Sequence, residues 1–119
     1  MLEKPVILGV ISDTHGLLRP EAVAALRGSH RILHVGDIGA SRILEALGQI
    51  APVTAIRGNV DTELWALSLP ETEVVEAGGV SIYMLHDLGR LDLKPEAAGI
   101  RVVVYGHSHQ PRERRAATA

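Results

Sequence analysis

The sequence predicts an α/β domain with mixed β-sheet, and three observations predict it. Short β-branched apolar runs alternate with helical patterns through the first half of the chain. Two more apolar runs face each other across Gly78-Gly79, as the arms of a hairpin do. A final apolar run stands close to the C-terminus. With 119 residues, 46% of them hydrophobic, the chain can bury one core and no more. Phe is absent and Trp occurs once, so Val, Ile, Leu and Ala must fill that core.

The elements follow in order. Residues 6–11 form a first strand, stopped by the polar turn Ser12-Asp13-Thr14-His15-Gly16. Pro20 suits the first turn of a helix whose apolar stripe is Val23 and Leu26 and whose end is Gly28. Residues 31–35 are a second strand, ended by Gly36-Asp37. Ser41 is placed to N-cap a helix over 42–47, with Ile43, Leu44 and Leu47 inward. Residues 53–56 are a third strand, ended by Arg57-Gly58-Asn59-Val60-Asp61, and a short helix over 62–66 follows. The hairpin arms are 73–77 and 80–85, and His86-Asp87 comes straight after the second. One helical turn is expected at 94–98, then a last strand at 101–105 running into Gly106-His107-Ser108-His109. The domain is expected to span 1–111. The tail 112–119, basic and then Ala-rich, is expected to be disordered.

Composition narrows the function classes. No apolar run approaches the roughly 18 residues of a membrane span, and none carries signal-peptide flanks, so a cytoplasmic protein without a membrane partner is expected. A net charge of −2 gives no reason to expect nucleic acid as an obligate partner. Cysteine is absent, so any transition-metal site must use His, Asp and Asn.

Five strands end, on their C-terminal side, in Asp-x-His, Gly-Asp, Gly-Asn-x-Asp, His and Gly-His-x-His. Ligands gather outside the carboxyl ends of strands in open α/β sheets because the loops there converge. Asp13, His15, Asp37, Asn59, His86, His107 and His109 are therefore candidates for one common site. Glycines at 16, 36, 58 and 106 are expected to let the backbone turn beside each ligand. Asp61 either caps the helix over 62–66 or supports the site from behind. Oxygen and imidazole donors without thiolate suit Mn²⁺ first, with Fe²⁺, Zn²⁺ or Ni²⁺ as alternatives. Seven ligands exceed the needs of one ion. Two ions sharing a bridging carboxylate would use them all, as in hydrolases of phosphate esters.

At these motifs the chain resembles the calcineurin-like metallophosphoesterases, in their small single-domain prokaryotic phosphodiesterase branch. The matching segments are Asp13-Thr14-His15-Gly16, His34-Val35-Gly36-Asp37, Arg57-Gly58-Asn59-Val60-Asp61, His86 and Gly106-His107-Ser108-His109-Gln110-Pro111, in the family's order. The resemblance implies a layered αββα-type sandwich with mixed sheets and the site at one edge. It implies Asp13, His15 and His109 on a first metal, Asn59, His86 and His107 on a second, and Asp37 bridging both. The implied activity is a phosphohydrolase, a phosphodiesterase rather than a monoesterase, in which a hydroxide between two divalent metals attacks phosphorus in line. The partner is then a small phosphate-ester substrate. Asp37, Asn59, Arg57 and Asp61 are the candidate catalytic residues. Arg57 either contacts a substrate phosphate or is a solvated charge at a strand end, and His34 is expected to be buried in a supporting role.

Three departures from the family bear on this expectation. Val60 stands where many larger relatives have histidine, so activated leaving groups should be favoured. Asp87 replaces the glycine usual after the histidine ligand. The segment after Gly106-His107-Ser108-His109 does not match the family's C-terminal strands, and a homodimer through an exposed sheet edge is expected to compensate. The alternative function is a catalytically weak scaffold on the same fold, like the small subunit of retromer.

Overall fold

The computed structural model describes residues 6–106. The strands are β1 (Leu8–Ile11), β2 (Arg31–His34), β3 (Val53–Ala55), β4 (Thr72–Ala77), β5 (Val80–Leu85) and β6 (Ile100–Val104). The helices are α1 (Pro20–Leu26), α2 (Ser41–Gly48) and α3 (Leu64–Leu67), with a single 3-10 turn at Leu88–Arg90. The strands form two sheets. In the first, β1, β2 and β3 lie side by side and parallel. In the second, β4 pairs antiparallel with β5, and β5 pairs parallel with β6.

Layering follows from which faces are apolar. Residues alternate sides along a strand. In β2, Ile32 packs with Leu26, Ile43 and Leu47 beneath the helices. Its neighbour Leu33 points the other way, into a cluster with Ile56, Val75, Ile82 and Met84 between the sheets. A strand buried on both faces reads as mostly apolar sequence, and here Ile32, Leu33 and Val35 are buried together with one polar residue, His34. In β5 the alternation sends Ile82 and Met84 to that same inter-sheet layer. Tyr83 and Leu85 go to the outer face, under Leu88, Leu91 and Leu93. The order through the molecule is helices, parallel sheet, mixed sheet, and the irregular segment that carries the 3-10 turn. The five buried leucine and isoleucine side chains of that first cluster, Ile38 included, each contribute about 1.5–3 kcal/mol by leaving water.

The local signals place the element ends. Pro20 is the first residue of α1, and Gly28 follows its C-cap with φ 88°. The hairpin turns on two glycines with φ 57° and 78°, a pair of positive values that matches the twist of the arms it joins. Residues 94–98 make one turn, closed by Ala98 N–H on the Lys94 carbonyl at 3.2 Å. Two helix starts differ from expectation. Ser41 is the first residue of α2, not its cap. Ala40 holds the cap position in extended backbone and no side chain caps the end. The turn at Gly39, with φ 91°, comes early enough to start the helix one residue sooner. The short helix lies at Leu64–Leu67, with Glu63 as its N-cap, so Asp61 does not cap it. Among the described residues no helix is long and apolar enough to cross a membrane. The tail 112–119 lies outside the described residues.

Candidate metal centre

Parallel registry aligns the ends of the first sheet. Ile11 sits beside His34 and His34 beside Ala55, so β1, β2 and β3 finish level. The loops after β1 and β2 keep pairing beyond the strands. Asp13 N–H donates to the Gly36 carbonyl at 2.9 Å, His15 N–H to Asp37 at 3.0 Å and Gly16 N–H to Ile38 at 2.7 Å. Asp13, His15 and Asp37 take φ values of 56°, 48° and 57°, the left-handed region that L-residues avoid. They are all the non-glycine residues with positive φ among those described. Such strain costs on the order of 1–3 kcal/mol per residue and persists only where surrounding contacts over-determine it.

Three devices do the determining. The first is the inter-loop ladder. The second is Asp61, whose buried carboxylate accepts from Ile38 N–H at 3.1 Å, Gly39 N–H at 3.1 Å and Gly58 N–H at 2.8 Å. It joins the loop after β3 to the loop after β2. The third is His34, fully buried at the end of β2. Burial pushes its pKa down to about 4, against a partial opposing pull from Asp61 and Asp13.

Glycines make the convergence possible in two ways. Gly16 and Gly36 have φ of 81° and 103°, as turning the backbone requires. Gly58 and Gly106 do not have positive φ, and they serve by having no side chain. A Cβ on Gly58 would run into the backbone N and Oδ1 of Asp37, and one on Gly106 would lie 2.8 Å from Asp13 Oδ2.

The result is a compact set of donors. Asp37 Oδ2 lies 3.1 Å from His86 Nε2 and 3.9 Å from His15 Nε2. Asp13 Oδ1 lies 3.8 Å from His15 Nε2 and 3.9 Å from His86 Nε2. Asp37 Oδ1 accepts from Val60 N–H at 3.1 Å, which fixes the carboxylate plane. His86 Nδ1 lies 2.7 Å from the Val35 carbonyl, an oxygen that can only accept, so Nδ1 carries the hydrogen. In the neutral ring the Nε2 lone pair then faces Asp37 Oδ2. Two lone-pair atoms that close are held together by a shared cation, either a proton or a metal. Donor atoms of Asp13, His15 and Asp37 lie within 4.8 Å of one another, near the separation of donors around one first-row ion. This set of carboxylate and imidazole donors without sulfur fits a divalent cation of that row.

Of the candidates read from sequence, the fold brings Asp13, His15, Asp37 and His86 together. Asn59 follows Gly58 on the loop that packs against Asp37 and lines a cleft of about 910 Å³. His107 and His109 lie outside the described residues. Gly106, the last described residue, donates its N–H to the His86 carbonyl at 3.0 Å. Arg57 lines the cleft and pairs with exposed Glu71 at 3.3 Å. Asp87 accepts from Gly89 N–H at 2.9 Å and so caps the 3-10 turn. Arg90, on the same turn, also lines the cleft, and nothing in its sequence context marked it. Thr14 was legible only as a spacer between two ligands, yet its hydroxyl bonds across to the second loop.

The family model of the calcineurin-like phosphoesterase superfamily domain matches residues 6–118. A probable metallophosphoesterase of Methanocaldococcus jannaschii is 34% identical over 119 aligned residues, covering 89% of this chain and 60% of that protein. Vps29 of Chaetomium thermophilum superposes with a TM-score of 0.73 at 24% identity, covering 89% of this chain and 65% of its own. A structure described as a novel archaeal phosphodiesterase superposes with a TM-score of 0.73 at 22% identity, covering 87% and 73%. At those identities the two superpositions establish the layered fold. The chain spans about three fifths of the length of that Methanocaldococcus jannaschii protein.

Proposed function

The chain belongs to the calcineurin-like phosphoesterase superfamily, and from that premise we propose that it is a metal-dependent phosphohydrolase that cleaves phosphodiesters at a pair of divalent cations. The observation that carries this reading is the environment of Asp37. One of its oxygens is shared between two imidazoles, His15 at 3.9 Å and His86 at 3.1 Å, while the other is pinned by a backbone amide. A carboxylate so placed is suited to bridge two ions.

In this reading Asp13, His15 and His109 would hold one cation, and Asn59, His86 and His107 would hold the other, with Mn²⁺ the first choice of metal. When bound, such a pair lowers the pKa of a water molecule and neutralises charge on phosphoryl oxygens. The chain's own residues do the rest. The bond from His86 to Val35 keeps the Nε2 lone pair aimed into the centre. Asp61 holds the loops of Asp37 and Asn59 in register through three backbone amides and takes part from behind the ligands. Arg57 stands in the cleft wall beside Asn59. Its ion pair with Glu71 is exposed and worth at most about 1 kcal/mol, so a substrate phosphate can draw the guanidinium away. Val60 offers no proton to a leaving group, so esters of acidic alcohols and phenols should turn over fastest.

The test is hydrolysis of a bis-aryl phosphate and an aryl monophosphate by the full chain with Mn²⁺, with chelator, and with Asp37→Asn. The diester is cleaved faster, chelation abolishes turnover, and the substitution lowers kcat by two orders of magnitude or more. A second reading, a protein-binding module, is favoured by the likeness to Vps29 and by exposed Val60, Leu64 and Leu67 near the cleft. Metal-loaded protein that hydrolyses neither compound would select it.

A further inference from the structure

We propose that His34 is a positioning residue for the metal centre, locking the loop of Asp13 and His15 to the loop of Asp37 through the hydroxyl of Thr14. The inference rests on the reading of those three residues as metal ligands, and it assigns a task to two residues that bind no metal in that reading.

Hydrogen-bond direction decides each link. His34 Nδ1 lies 3.1 Å from Gly36 N, whose hydrogen can only be donated, so Nδ1 carries a lone pair. The neutral ring then has its hydrogen on Nε2, which lies 3.0 Å from Thr14 Oγ1. Thr14 in turn donates its hydroxyl hydrogen to the Ile38 carbonyl at 2.8 Å. The chain therefore runs one way, from Gly36 N–H to the imidazole, from Nε2–H to Thr14, and from Thr14 to Ile38. It starts and ends on the two sides of Asp37. Its middle lies between Asp13 and His15. All three of those residues hold left-handed backbone, and this relay is a side-chain tie that joins both strained loops. No other tautomer satisfies the three bonds, and an imidazolium would set two hydrogens against each other at Gly36.

Partners that orient metal ligands typically change metal affinity by about 10–100-fold when removed. The experiment has two arms on the full chain. Calorimetric Mn²⁺ titration of Thr14→Val, which keeps the shape and loses the hydroxyl, is expected to give at least tenfold weaker binding. Thr14→Ser is expected to stay within about threefold of wild type. Binding by Thr14→Val equal to wild type overturns the proposal, as does Thr14→Ser as weak as Thr14→Val. The second arm needs no variant. ¹⁵N–¹H correlation of the wild-type imidazoles is expected to show His34 with hydrogen on Nε2, and hydrogen on Nδ1 overturns the relay. Wild-type protein that takes up no Mn²⁺ overturns the metal reading along with this one. Uptake that ignores Thr14→Val overturns this one alone.

Discussion

Aspartate and histidine are placed here where glycine or asparagine would sit more easily. The left-handed φ of Asp13, His15 and Asp37 turns each side chain toward a common point and costs stability to do so. His15 is the cleanest place to separate the two effects, because its side chain is about half exposed at 54% and contributes little packing. Asparagine tolerates left-handed backbone better than histidine. His15→Asn is therefore expected to leave metal-free stability unchanged or raise it by up to about 1 kcal/mol, while Mn²⁺ affinity falls at least tenfold. Urea denaturation beside Mn²⁺ titration checks this, and a variant that loses both would refute the strain account. None of this strain was legible beforehand. The Asp-x-His spacing identified ligands, but their φ values come from pairing with Gly36, Asp37 and Ile38, more than twenty residues away in sequence.

At the scale of elements, the carboxyl end of the parallel sheet is a set of loops fastened to each other. Asp61 is one such fastening, a buried carboxylate held by three backbone donors. Hydrogen bonds to a charged group contribute about 1.5–3 kcal/mol each, and leaving their donors buried and unmet is costlier than never forming them. Asp61→Ala is thus expected to lower stability by about 3 kcal/mol or more and to weaken Mn²⁺ binding, with Asp61→Asn between. An effect under about 1 kcal/mol in denaturant unfolding would mean the clasp is dispensable. Sequence reasoning found Asp61 but weighed a helix cap for it, because local capping rules cannot see a tertiary claim on the same carboxylate. The displacement of Ser41 from cap to first helical residue has the same origin, a turn at Gly39 packed against the His15 loop. The ends of β1, β2 and β3 were legible because each carries a glycine and a donor. The 3-10 turn at Leu88–Arg90 was not, since Leu88 and Leu91 read as scattered apolar residues until the outer face of β5 is there to receive them.

For the whole molecule, the fold class was legible from alternating runs and a hairpin, while the division into two sheets came only from the family resemblance and not from the runs themselves. Strand pairing depends on which face meets which, and β2 and β5 are apolar on both. The buried His34 links this packed interior to solution pH. Its folded pKa, about 4, lies below the ordinary 6.5, so between those values the unfolded chain takes up a proton that the folded chain refuses. The His34 contribution to stability of the metal-free protein is full above about pH 6.5. As the pH falls to about 4 the His34 contribution drops by about 3 kcal/mol and then levels off. Denaturant unfolding of wild type and His34→Asn across that range checks it. The variant starts lower and declines less, and parallel curves would contradict the assignment.

The central claim is that Asp37 joins two cations in one centre. Electron paramagnetic resonance of the Mn²⁺-saturated full chain, with metal content measured on the same sample, tests it most directly. The account predicts two ions per chain with an exchange-coupled spectrum that reverts to uncoupled Mn²⁺ in Asp37→Asn. One ion per chain, or two that never couple, would contradict it.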